Sequence, residues 1–124
     1  MNKKEFKLEV EELLKQEVDN LTFEEKIEYI KKILLDYEIE ISSERVLENK
    51  GKKWEDYELE IILNSAPSKE NILKYAKLFK RGYGSIEQIY RWAYTPFKNM
   101  TDERKNDSFI LQIKRIAKKI GLRG

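Results

Sequence analysis

The 124-residue sequence contains no cysteine and no histidine, two prolines and five glycines. The first absence removes disulfide staples, thiolate nucleophiles and Cys/His zinc sites. The second removes every mechanism that needs an imidazole as base or ligand. Any catalysis has to rest on carboxylates, Lys, Tyr or Ser. The longest apolar runs, such as Ile33-Leu34-Leu35 and Ile61-Ile62-Leu63, are far shorter than a membrane span or a signal-peptide core. A soluble, cytoplasmic protein with no membrane partner is expected. No phosphate-cradling glycine loop or calcium loop is present, since Gly82-Tyr83-Gly84 lacks a third glycine and a preceding strand. Glu24-Glu25-Lys26, with Asp19 upstream, has the spacing of a carboxylate nuclease site, but a chain this rich in Glu and Lys produces it by chance. The composition predicts no enzyme, no cofactor and no metal.

What the chain has is charge, at 39% of positions, and the sum of +2 conceals how it is placed. Residues 1–49 carry 8 Lys+Arg against 14 Asp+Glu, a net of −6, whereas residues 50–124 carry 17 against 9, a net of +8. An acidic half joined to a basic half is a compositional sign of a nucleic-acid-binding module with a second segment attached. Lysine outnumbers arginine 19 to 6, which points toward an AT-rich bacterial or phage genome.

Apolar periodicity predicts an all-helical chain of about six helices. Phe6, Val10, Leu13, Leu14 and Val18 predict a first helix over about 4–18. Thr22 and Glu25 form a capping box for a second over about 23–36, lined by Ile27, Ile30, Leu34 and Tyr37. The alternation in Tyr37-Glu38-Ile39-Glu40-Ile41 predicts a short strand or extended link. Residues 42–53 then read as the join between halves. Trp54 to Asn64 mixes helical and alternating spacing, with its glutamates favouring helix. Ser68 is the N-cap of a helix over about 69–80, with Ile72, Leu73, Tyr75, Ala76 and Phe79 on its apolar face. Arg81-Gly82-Tyr83-Gly84 reads as a turn with both glycines free to take positive φ. Ser85 and Gln88 form a second capping box, opening a helix that buries Ile86, Ile89, Trp92 and Ala93 and stops before Pro96. After a charged link over 98–106, a last helix runs from Asp107 as N-cap to Gly121, with Phe109, Ile113, Ile116 and Ile120 on one stripe. Three segments follow: acidic helices over 1–49, a three-helix unit over 50–96, and a linker with a basic helix over 97–124.

The outline of the middle segment is that of a helix-turn-helix, in which a small trihelical core frees the outer face of the third helix for a major groove. Its core would be Trp54, Ile72, Phe79 and Trp92. The residues resemble Myb-type repeats and the related SANT domains of the homeodomain-like class. Trp54 stands in the first aromatic slot, Ile72 in the second, and Gln88-Ile89-Tyr90-Arg91-Trp92 in the third, with Ala76 and the basic Lys80-Arg81 turn also fitting. The resemblance covers about 45 residues and implies a DNA-binding fold; Ile89, Tyr90 and Ala93 at the family's base-reading positions imply little about a base code. Outward positions of the third helix are Ser85, Glu87, Gln88, Tyr90, Arg91 and Tyr94. Of these, Ser85, Gln88, Tyr90 and Arg91 are the candidate base-facing residues, because Gln suits adenine and Arg suits guanine. Lys77, Lys80, Arg81, Lys98, Lys114, Arg115, Lys118 and Lys119 are candidate phosphate contacts, joined by Arg123 at the end of the basic helix. The last helix is expected to dock its apolar stripe on the core and turn its lysines to DNA.

Double-stranded DNA is therefore the expected partner, for a transcription regulator or a phage or mobile-element protein. The alternative is a SANT-like protein-interaction module that binds no DNA, favoured by Glu87 on the third helix. In either case the N-terminal helices are expected to form a homodimer, hold a protein partner, or cover the basic half.

Overall fold

The computed structural model describes residues 1–42, 45 and 47–122. Arg123 and part of the expected join lie outside the described residues. Among those described, the chain is helical with no strand. Seven helices follow in order: α1 (Lys3–Lys15), α2 (Phe23–Glu40), α3 (Asp56–Leu63), α4 (Lys69–Phe79), α5 (Tyr83–Tyr94), α6 (Asp102–Lys105) and α7 (Ser108–Lys119), with a 3₁₀ turn at Phe97–Asn99. No described helix is long and apolar enough to cross a membrane. The chain divides into two compact units, Met1–Glu38 and Ile39–Gly124. The division falls within the last turn of α2, and the last helix packs in the core of the second unit.

The first unit consists of α1 and α2 with the link between them. Asn2 caps α1 by accepting from Glu5 N at 2.8 Å. The capping box at the start of α2 forms, with Glu25 N donating to Thr22 Oγ1 at 3.2 Å and Thr22 N to Glu25 Oε1 at 3.1 Å. Lys26, in the first turn of α2, reaches the C-terminal end of α1 by donating to Leu14 O at 2.9 Å and to Gln16 O. The alternation at Tyr37–Glu40 makes no strand: α2 continues through Glu40. Four alternating residues without a proline or glycine are too few to break a helix already propagating, because each further residue adds a hydrogen bond without a new nucleation cost.

The second unit is built around α5. It packs against α4, α7 and α3, while α7 also lies along α3. Leu59, Ile62, Ile86, Ile89, Ile113 and Ile116 are at most 1% exposed and form the centre of the core, with Trp54, Ile72, Tyr75 and Phe79 around them. Ser68 caps α4 by accepting from Asn71 N at 3.1 Å. Asp107 caps α7 by accepting from Phe109 N and Ile110 N, each at 3.0 Å. Gly121 ends α7 at φ +84°, and Leu122 N returns to Ala117 O at 2.8 Å. That is the left-handed helix end expected of a glycine there.

The turn before α5 is unlike the expected one. Gly82 has φ −70° and stands as the N-cap, Gly84 lies inside α5, and the helix starts at Tyr83, so no Ser85/Gln88 capping box forms. The left-handed residue is Lys80, at φ 55° and ψ 47°. Its conformation is held from the join: Asn49 Nδ2 donates to Phe79 O at 2.7 Å and Asn49 N to Lys80 O at 3.1 Å. Two hydrogen bonds at the end of α4 offset the steric cost of a side chain in this region, which is about 1–2 kcal/mol.

Candidate nucleic-acid interface

The α5 face left open by α3, α4 and α7 consists of Gly84, Ser85, Glu87, Gln88, Arg91 and Tyr94, all exposed. They recur at three- and four-residue spacing and so form one stripe. Ser85, Gln88 and Arg91 are thus outward as expected, with Arg91 Nη2 lying 3.8 Å from Glu87 Oε1 on the same surface.

Tyr90 is not on this stripe. It is 3% exposed, and its hydroxyl donates to Ile62 O at 2.7 Å. Burial, with Tyr75 and Tyr94 nearby, pushes its phenol well above the usual range, so it stays a neutral donor. Tyr90 is a core residue and cannot face a groove. Trp92, expected at the centre, is only partly buried at the edge of the core, where the Arg104 guanidinium lies 4.7 Å from its ring centroid. The inward stripe is Ile86, Ile89, Tyr90 and Ala93. Its phase is set by α4 and α7 flanking α5, not by the bulkiest side chain.

The expected phosphate contacts separate into two groups. Arg81 is 5% exposed: its guanidinium lies 3.8 Å from the Trp54 ring centroid, with Nη1 donating to Lys52 O at 2.6 Å and Nη2 to Lys53 O at 3.1 Å. It holds the segment before α3 in place and is not available to phosphate. Lys114, half-buried, donates to Ala93 O at 3.2 Å beside the Phe97 ring, and desolvation lowers its ammonium pKa. It satisfies a carbonyl in the last turn of α5. Arg115 bonds Asp56 Oδ1 at 2.8 Å, and Lys119 bonds Glu60 Oε2 at 3.1 Å, both on α3. The docking of α7 therefore uses its flanking cations as well as its apolar stripe, and a uniformly free basic face does not exist. Lys77, Lys80, Lys98 and Lys118 remain at the surface, with Lys80 Nζ 3.1 Å from Glu48 Oε2 in an exposed pair. Exposed pairs of this kind exchange readily, being worth at most about 1 kcal/mol.

The Asp56 pair carries a pH signature. Hydrogen bonds from Arg115 and Gln112 hold the Asp56 carboxyl below its ordinary value of 3.8. Because the folded value is depressed, the group stabilises the fold above its unfolded value and loses that contribution as pH falls through the folded one. In thermal melts from pH 6 to 2, Asp56→Asn should flatten the acid-side fall of Tm below about pH 4, with little change in the slope at neutral pH.

An open cleft of about 540 Å³ adjoins the start of α5, lined by Lys52, Lys53, Trp54, Arg81, Ser85, Ser108, Phe109 and Gln112, with Gly51 at one edge. Lys52 and Lys53 are exposed at its rim. Sequence reasoning placed these two lysines only in a join. Their position next to Trp54 was the available signal, since burial of the indole fixes the backbone on which both sit.

Residues 48–124 match the family described as Uncharacterised protein PM1205 C-terminal domain. The matched range begins beside Asn49, which holds the end of α4, and includes α7. The chain is similar to the Uncharacterized protein PM1205 of Pasteurella multocida (strain Pm70), at 54% identity over 124 residues and 99% of each chain. No solved structure matches. The unit that closes its core with α7, and that starts α5 from a left-handed Lys80, is thus the part on which the family is defined, and the chain belongs to the PM1205 C-terminal domain family.

Proposed function

We propose that the second unit binds double-stranded DNA in the cytoplasm, as a transcription regulator or a phage or mobile-element DNA-binding protein. In this reading α3, α4 and α5 act as a Myb-like helix-turn-helix, with α7 as a fourth helix bracing it from behind. The observation that carries the reading is the exposed stripe of α5, which presents Ser85, Gln88 and Arg91 together from a helix fixed on its other sides. Gln88 and Arg91 are suited to base edges. The exposed lysines Lys52, Lys53, Lys77, Lys80, Lys98 and Lys118 supply the phosphate contacts. Glu87 would be drawn to a cytosine amine or stay paired with Arg91.

Fluorescence anisotropy of a labelled random duplex against salt tests the reading. Four to six phosphate contacts predict that log K falls with log salt at a slope of roughly −4 to −5. Arg91→Glu should weaken binding by at least about tenfold at constant salt, in line with the loss of about 1–3 kcal/mol for a base-reading cation, whereas Lys3→Glu should leave it unchanged. Absence of salt-sensitive binding would reject the reading. The SANT-like alternative, a module that binds protein and no DNA, is favoured by the Glu87–Arg91 pair, which neutralises the centre of the stripe. Capture of an acidic partner that Arg91→Glu abolishes, with no duplex shift, would select it.

A further inference from the structure

The first unit contains no buried residue in either α1 or α2. Phe6, Leu13, Phe23, Leu34 and Tyr37 are between 59% and 66% exposed, and Val10, Tyr29 and Ile33 are also open. Most of these side chains fall on two stripes, with Leu8, Tyr29 and Ile33 outside them. Phe6, Val10 and Leu13 share one face of α1, and Phe23, Leu34 and Tyr37 share the face of α2 that carries Ile27 and Ile30. Isolated helices of 13 and 18 residues are marginal in water unless an apolar face is covered. In the second unit the exposed large apolar residues, such as Tyr57, Leu78 and Phe97, sit on separate elements around a closed core.

We propose that this unit is the homodimer interface, with the apolar faces of α1 and α2 from two copies packing into an antiparallel four-helix assembly. The inference stands independently of DNA binding. Two features select a second copy as the occupant. The first is charge: the first half of α1 carries Lys3, Lys4 and Lys7 against Glu5, and the second half Glu9, Glu11 and Glu12 against Lys15, so the halves have net charges of +2 and −2. Antiparallel pairing of α1 with its own copy sets the lysine half of each against the glutamate half of the other. An isologous contact requires this self-complementarity. The second is area. At 1.5 Å per residue the helices are roughly 20 and 27 Å long, and a face about 10 Å wide gives a flat footprint of roughly 500 Å². Side-chain relief brings this toward the ~800 Å² per partner of a stable interface.

Sedimentation equilibrium of the full chain is expected to give twice the 14.9 kDa chain mass at micromolar concentration. Phe6→Glu with Leu34→Glu should return it to the monomer. Trp54 and Trp92 both lie in the second unit, so their fluorescence shows whether that unit stays folded in every variant. Reversing Lys3, Lys4 and Lys7 to Glu should weaken the dimer at least tenfold. Reversing Glu9, Glu11 and Glu12 to Lys in the same chain should restore it, because the complementarity is then re-established with opposite signs. A monomeric parent chain, including one whose α1 and α2 amides are protected by cover from its own second unit, would overturn the proposal. So would a dimer indifferent to Phe6→Glu/Leu34→Glu, or a charge swap that fails to restore the affinity.

Discussion

Trp54→Ala should unfold the second unit near physiological temperature, a large effect for a residue that precedes every helix of that unit. Trp54 is 9% exposed, with the Phe79 ring edge-on at 5.8 Å and the Arg81 guanidinium over its face. Its carbonyl accepts from Gln112 Nε2 at 2.9 Å. One residue thus touches the end of α4, the turn before α5 and the middle of α7. Truncating a buried indole costs about 3–5 kcal/mol, because the site loses both transferred area and the contacts lining the void. For a unit of this size each kcal/mol is worth about 4–8 °C, so Tm should fall by at least about 12 °C. Trp54→Phe keeps an aromatic face for Arg81 and should lose less than half as much. A fall under about 4 °C for the alanine variant would mean that α3, α5 and α7 hold together without this anchor.

The residues that were easy to read in sequence were those whose role is local. Thr22 with Glu25, Ser68, Asp107 and Gly121 each act within four residues of themselves, and each helix end they mark is where their chemistry puts it. The apolar stripe of α7 was legible for the same reason, and its docking on the core followed. The departures arise where a distant group decides. Lys80 rather than a glycine is left-handed because Asn49 bonds the carbonyls of Phe79 and Lys80 from about thirty positions away. Tyr90 rather than Trp92 points inward because α7, far later in the chain, fixes which face of α5 is covered. The basic residues of α7 looked like a surface for DNA, yet Asp56 and Glu60 meet two of them across the helix interface. Charge counts locate cations, but only packing shows which are already occupied.

Arg81→Lys should separate a structural cation from a DNA-binding one, since it keeps the charge and discards the geometry. The Arg81 guanidinium uses its planar fork for Lys52 O and Lys53 O while its face lies on Trp54. A lysine ammonium has no such face and cannot span both carbonyls from the same side. Burial already disfavours the charged form at this site, and the nearby Glu58 carboxylate favours it, so a poorly bonded ammonium would be held there at a cost. Loss of two part-buried, charge-assisted hydrogen bonds to backbone carbonyls, with the stacking, should destabilise the unit by about 2–3 kcal/mol. By the same scaling Tm should drop by roughly 8 °C or more. Well below that Tm, duplex affinity and its salt slope should match the parent, because the residue contributes no phosphate contact. Lys80→Glu should behave in the opposite way, with a small change in Tm and a reduced salt slope, since its side chain is exposed and its ion pair with Glu48 is a surface one. If Arg81→Lys instead left Tm intact and weakened binding, the guanidinium would have to leave Trp54 when DNA arrives, and the segment before α3 would be part of the interface.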